Sequence, residues 1–236
     1  ANEKLYNLKP KNLIESGYGR LDSIIEQAQY CPQTVGGDGK KKVLVAPSWG
    51  DHTLLESCAI ELVSILLKNG CQVVYRPHPM TVRHRSKLLA ELNLRFEGNG
   101  DFSYETQVGS QESLHSSDIM ISDWSGAAIE YALGLERPVI FIDLPRKINN
   151  SEYTEISIEP FEVTIRSKIG SVISTSRLED IPKHIEALCS NPDSFKQEIR
   201  KIRSESVYNV GTSGAVGAAY IVQTLEKLRG TCEKKR

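Results

Sequence analysis

The chain has 236 residues, 39% of them hydrophobic, enough to bury one good core with helices appended to it. Its 29 Lys and Arg against 30 Asp and Glu leave a formal charge of −1, which excludes the broad basic field of a general nucleic-acid or anionic-membrane binder. Its 5 cysteines form no CxxC pair and sit mostly in apolar runs, so they read as buried reduced thiols and point to the cytoplasm; no apolar run is long enough for a membrane span.

In chain order, residues 1–40 read as a turn, "ESGYGRLD", a helix with Leu21, Ile24, Ile25 and Ala28 as its stripe, and a polar connection, "TVGGDGKKK". That connection is not a phosphate-binding P-loop. Thr34 stands where the first Gly belongs, Lys41 where Ser or Thr belongs, and the stretch precedes a strand instead of following one. Residues 41–236 then alternate regularly: "VLVAP" as a strand, a helix from Thr53 to Asn69 closed by Gly70, "QVVYRP" as a strand, a helix from Val82 to Asn93, and "LRF" as a short third strand. A loop with Gly98, Gly100 and Gly109 leads to a brief helix from Gln111 to Ser116. "SDIMISDWSGAAIEYALGLERPVIFID" is one βαβ unit, with a strand at Ile119 to Ile121, a small-residue helix opening at Gly126 and stopped by Gly134, and a strand at Pro138 to Ile142. An irregular stretch follows from Leu144 to Ser167, then a strand at "SVIS" and helices near 177–190, 194–205 and 213–229. Strands alternating with helices predict an α/β fold, a Rossmann-like doubly wound parallel sheet with C-terminal helices.

In the usual 3-2-1-4-5-6 order the switch point lies between the first and fourth strands, which brings "APSWGDH", "RPHP" and "SDWSG" together at the carboxyl edge. Arg76 and His78 flank Pro77, and the prolines hold both side chains out from a stiff loop, where the histidine, when protonated, neutralises a phosphate. Ser125 and Gly126 stand at a helix start, where unpaired N–H groups favour anions; Asp123 is a second possible cap or contact there. Glu130, a turn further on, stands equally as an acceptor for a ribose diol and as a solvated carboxylate. Ser48 is the hydroxyl offered by the first loop, Asp51 reads as a helix cap, and Trp124 reads as a plug for its turn, with stacking on a base as the alternative. No His or Cys spacing resembles a metal site, and no cofactor is called for.

"ESGYGRLD", "VLVAPSWGDH", "VVYRPHP", "SDIMISDWSGAAIEYALGLERPVIFID" and "NVGTSGAVGAAYIVQTLEKL" occur in an order that resembles the C-terminal half of the CDP-glycerol glycerophosphotransferase family, the teichoic-acid polymerases and primases. The likeness runs from Gly17 to Leu228. It implies one half of a GT-B fold, two Rossmann-like domains with the active cleft between them, and a donor that is CDP-glycerol, CDP-ribitol or a nucleotide sugar. By the same resemblance His78 is the catalytic candidate, binding the donor pyrophosphate, with Ser125 and Gly126 cradling it and Glu130 a further candidate; the loops themselves add Arg76, Ser48 and Asp123 as substrate-binding candidates. The family's Asp-Tyr-Ser-Ser is here Asp123, Trp124, Ser125 and Gly126, so one phosphate-facing hydroxyl is replaced.

The resemblance also implies a lipid-linked glycan or teichoic-acid-type acceptor at the inner face of a membrane. The chain begins without Met, and "ESGYGRLD" looks like the crossover out of an N-terminal domain, which is expected to supply the acceptor site and catalytic base. Alternatives are a nucleotide-sugar glycosyltransferase, a sugar-nucleotide 2-epimerase of the same architecture, and a nucleotide-binding module without turnover.

Overall fold

The computed structural model describes residues 7–9, 13–30, 39–105, 107, 110–148, 151–155 and 159–233. Cys31, Gly109 and positions 34–38 of the polar connection lie outside them. Six strands, β1 (Lys42–Val45), β2 (Gln72–Tyr75), β3 (Phe102–Tyr104), β4 (Ile119–Ser122), β5 (Val139–Asp143) and β6 (Gly170–Ser174), form one sheet in the order β3-β2-β1-β4-β5-β6. Every neighbouring pair is parallel, and β1 lies between Val73 of β2 and Ile119 of β4 at Val43. The doubly wound order expected from the alternation is the one observed.

A strand's side chains alternate between faces, and the two cores divide β1 accordingly. Val43 and Val45 face Leu54, Leu62 and Leu66, which come from α2 (Leu54–Ser57) and α3 (Ala59–Lys68). Leu44 belongs to the opposite core with Leu21 of α1 (Gly19–Ala28) and Tyr131 of α7 (Gly126–Leu135). Burial on both faces explains why the inner strands read as unbroken apolar runs. Between these helices in the chain come α4 (Pro79–His84), α5 (Ser86–Phe96) and α6 (Glu112–Ser116). After β5 come α8 (Phe161–Ile165), α9 (Ile181–Ser190), α10 (Pro192–Ser206) and α11 (Ser213–Glu233), with 3-10 turns at Ser151–Glu155 and Thr175–Asp180.

Four local expectations are corrected. The third strand is Phe102–Tyr104, not "LRF": Leu94 to Phe96 form the last turn of α5, whose Leu89, Leu92 and Phe96 share one buried face. The helix expected from Thr53 to Asn69 breaks at Cys58, where φ −157 and ψ 12 leave the helical region, and the next one breaks at Arg85. Part of the stretch read as irregular after Leu144 is helical, as α8. Gly134 does not stop α7. The helix ends at Glu136, held in the left-handed region at φ 56, while Gly134 lies inside it and lets α1 pack closely: a Cβ there would fall 2.6 Å from Ile24 Cγ2.

The chain enters and leaves this unit at one clasp. Asp22 of α1 accepts from the Gly211 and Ser213 backbone N–H groups at 2.7 and 3.0 Å, at the start of α11. Gly17 sits against Tyr208 so closely that a Cβ on it would lie 2.4 Å from the Tyr208 carbonyl oxygen.

Candidate functional site

A cleft of about 570 Å³ opens at the carboxyl edge of the sheet, over the switch point between β1 and β4. Its walls come from the loops after β1, β2, β4 and β5, with Arg20 of α1 and Glu130 of α7 closing one side. The three loops picked out from sequence therefore converge in space.

Asp123 ties two of them together, the loops after β1 and β4. It is 1% exposed, and its carboxylate accepts from the Ser48 N–H at 2.6 Å and the Leu54 N–H at 2.9 Å. It spans from the end of β4 to the loop after β1, while Ser122 Oγ donates to the Ala46 carbonyl at 2.6 Å beside it. Asp123, expected as a substrate contact, is not among the residues lining the cleft, and its two carboxylate oxygens are taken up by the Ser48 and Leu54 N–H groups. The expectation for Asp51 changes too, since Thr53 occupies the cap position of α2 and Asp51 pairs with Arg85 at 2.7 Å. Trp124 plugs the turn, its indole N–H donating to the Leu144 carbonyl at 2.9 Å and the Arg166 guanidinium lying 4.0 Å from its ring centroid.

Ser48 is 3% exposed and lines the cleft, and its hydroxyl has no partner among the described residues. A buried hydroxyl left unbonded is costly, so this position favours a ligand atom able to accept or donate there. Ser125 caps α7, its Oγ accepting from the Ala127 N–H at 3.3 Å. Gly126 opens the helix, and a Cβ on it would meet nothing within 4 Å, so its N–H is approachable from the cleft, while the Ala127 and Ala128 N–H groups bond to Ser125.

His78 caps α4, with Nδ1 accepting from the Met80 N–H at 3.1 Å and Pro79 in the first helical position, where its missing N–H costs nothing. An accepting Nδ1 carries no proton, so Nε2 carries it. Burial, with the nearby Lys147 ammonium second, pushes the His78 pKa below the usual histidine value. The sequence reading gave His78 as a donor to phosphate and, when protonated, a neutralising charge; with Nδ1 taken by the Met80 N–H, the donor it presents is Nε2–H. Trp49 stacks on it, centroids 5.9 Å apart. Arg76 is 8% exposed, donates to Ser113 Oγ at 3.4 Å, and is lowered in pKa by burial.

Glu130 is already engaged. Tyr18 Oη donates to Oε1 at 2.5 Å and Arg20 Nε to Oε2 at 2.6 Å. Burial and that hydrogen bond push the Tyr18 hydroxyl up to about 12, so it stays a donor. Arg20 and Lys147, both lining the cleft, were missed as site residues. Arg20 lay within a stretch read as a crossover. Lys147 follows β5 in a stretch without a motif, and its only signal is that every loop after a strand of a parallel sheet ends at this same edge.

Fold and site together define a Rossmann-like domain, a doubly wound parallel sheet with a crevice at its topological switch point. A sequence model of the CDP-Glycerol:Poly(glycerophosphate) glycerophosphotransferase family matches residues 1–148, and the chain belongs to that family of transferases. No curated protein matches the chain. Among solved structures it is similar to the C-terminal CMP-Kdo binding domain of WaaA from Acinetobacter baumannii, at 13% identity and TM-score 0.47, over 76% of this chain and 97% of that one. It is also similar to the UDP-GlcNAc 2-epimerase of Methanocaldococcus jannaschii, solved with UDP-GlcNAc and UDP, at 18% identity and TM-score 0.48, over 87% of this chain; it spans 58% of the epimerase. The C-terminal domain of the group 1 glycosyl transferase LpcC from Francisella tularensis matches at 11% identity and TM-score 0.42, over 78% of this chain and 91% of that one. Among the described residues no helix is long and apolar enough to cross a membrane, and no cluster of His, Cys, Asp and Glu has the makings of a metal site.

Proposed function

We propose that this domain holds a CDP-linked polyol phosphate, CDP-glycerol in the first instance, for transfer of the polyol phosphate to a membrane-attached glycan or teichoic-acid-type acceptor. The observation that carries the reading is the convergence, in one cleft, of the unpartnered Ser48 hydroxyl, the His78 imidazole and the Gly126 end of α7. All three offer hydrogens to an acceptor-only ligand, which is what a diphosphate is. In the transfer an acceptor hydroxyl attacks the β-phosphorus and its bond to the bridging oxygen breaks, so CMP leaves. His78 Nε2–H and the N–H groups at the start of α7 stabilise the charge gathering on the phosphate oxygens.

The base belongs elsewhere in this reading. His78 Nδ1 is occupied by the Met80 N–H, and Glu130, the carboxylate lining the cleft among the described residues, is bound by Tyr18 and Arg20. A base must reach the attacking hydroxyl, so we assign it to the opposite wall of a two-domain cleft.

The test is calorimetry and thermal shift with CDP-glycerol, CDP-ribitol, UDP-sugars and bare nucleotides, since a ligand that binds the folded state raises its stability. CDP-glycerol is expected to bind, and His78→Ala to weaken it by about 1.5 to 3 kcal/mol, the scale of a hydrogen bond to a charged group. Binding of UDP-sugars alone would move the domain to nucleotide-sugar chemistry, and no binding by any of the panel would end the reading.

A further inference from the structure

Three cationic side chains line the cleft, Arg20, Arg76 and Lys147. Arg20 is paired with Glu130 at 2.6 Å, His78 Nδ1 accepts from the Met80 N–H, and the buried Arg76 keeps its charge while donating to the Ser113 hydroxyl. Lys147 has no carboxylate in ion-pair contact among the described residues. Its ammonium donates to the Trp49 carbonyl and lies 5.9 Å from the Trp49 ring centroid, on the side of the cleft where Trp49 also stacks on His78. Gly50 of the loop after β1 lies beside it, in a conformation, φ +108, that L side chains rarely enter, and a Cβ there would make ordinary contact with Nζ at 3.7 Å.

A part-buried ammonium resting on one carbonyl and an aromatic face has surrendered water without gaining a counter-ion, which is unfavourable until an anion completes the site. Its pKa is held down by that burial, against the pull of Asp123 and Asp51. The anion within reach of Lys147 lies in the cleft that Ser48, His78, Ser125 and Gly126 also line.

We propose that Lys147 is a phosphate-neutralising residue of this site, its ammonium supplying positive charge to the diphosphate while His78 and the start of α7 supply N–H donors. This rests on the donor-binding reading above and assigns within it a residue outside all three sequence motifs. Lys147 leaves the Trp49 carbonyl for a phosphate oxygen on binding, so the lysine is a ligand contact and not a structural brace.

The experiment titrates wild type, Lys147→Met and Lys147→Arg with CDP-glycerol, CDP and cytidine by calorimetry, with the unfolding midpoint of each protein measured alongside. Loss of the contact is expected to lower affinity for CDP-glycerol and CDP by about ten- to hundred-fold in Lys147→Met, and to leave the binding heat of cytidine and the unfolding midpoint unchanged. Lys147→Arg is expected to recover much of the loss, because it keeps the charge. Equal affinity of wild type and Lys147→Met for CDP-glycerol would overturn the assignment while the donor reading stands. Failure of wild type to bind any of the three would overturn both. A fall in the unfolding midpoint of Lys147→Met without loss of affinity would assign the lysine to bracing the Trp49 loop, and would also sink the proposal.

Discussion

The two ends of α7 use the same residue type for opposite purposes. At the amino end Gly126 faces open space, and the missing side chain leaves the helical N–H groups approachable. Toward the carboxyl end Gly134 is buried, and the missing side chain is filled by Ile24 and Leu21 of α1. One end is shaped by what it leaves empty, the other by what it admits. A glycine in a sequence therefore tells little until its surroundings are known, and substitution separates the two cases.

The largest effect belongs to the packed end. Gly134→Val would drive a branched side chain into Ile24, and overpacking of this kind costs about 1 to 3 kcal/mol, with the upper part of that range expected here because the opposing atoms belong to a fully buried residue. Urea denaturation monitored by circular dichroism gives the number. A stability equal to wild type would mean that α1 does not pack where the structure puts it.

Gly126→Val sharpens the contrast from the other end. Stability is expected to hold within about 0.5 kcal/mol, as at surface positions, while CDP-glycerol affinity falls about ten-fold or more because the side chain blocks approach to the N–H groups. If the variant instead unfolds like Gly134→Val, the two ends are alike after all and the open cleft is not a binding surface.

The smallest expected effect concerns the stop of α7. Burial alone would raise the Glu136 carboxyl, but hydrogen bonds from Arg200 and Arg203 outweigh it and hold the group below the usual carboxylate range. An acid depressed in the folded state stabilises fully above its unfolded pKa and loses that contribution as pH falls through the folded one. Glu136→Gln is therefore expected to be less stable than wild type near neutral pH, with the gap closing below about pH 4.5 and donor affinity unchanged. A gap that widens in acid would contradict the ion-paired geometry.

Most of the architecture was legible because a parallel sheet buried on both faces writes its strands as apolar runs and its helices as stripes. β3 escaped because it is a three-residue strand at the sheet edge, with Phe102 and Tyr104 only partly buried, and it offers no such run. Its place was taken by "LRF", whose two apolar residues serve a helix turn. The site was legible where stiff or unusual residues crowd, as in "RPHP" and "SDWSG". Lys147 and Arg20 were not, because a lysine or arginine in a loop is ordinary and only the folded chain shows that its loop ends at the cleft. The protonation of His78 was beyond sequence for a related reason: it depends on the Met80 N–H and on Lys147, a distant residue brought near.

The clasp between Glu15–Asp22 and Tyr208–Ser213 has a mechanical meaning. Because Asp22 grips the backbone at Gly211 and Ser213, the segment leading into α1 and the segment leading into α11 emerge at one point. A tension applied between them would load the Asp22 grip and the Gly17–Tyr208 contact first, and the strands of the sheet would carry none of it until the clasp gave way. Tyr18 and Arg20, which follow Gly17 directly in the chain and reach to Glu130, tie the clasp to the wall of the cleft.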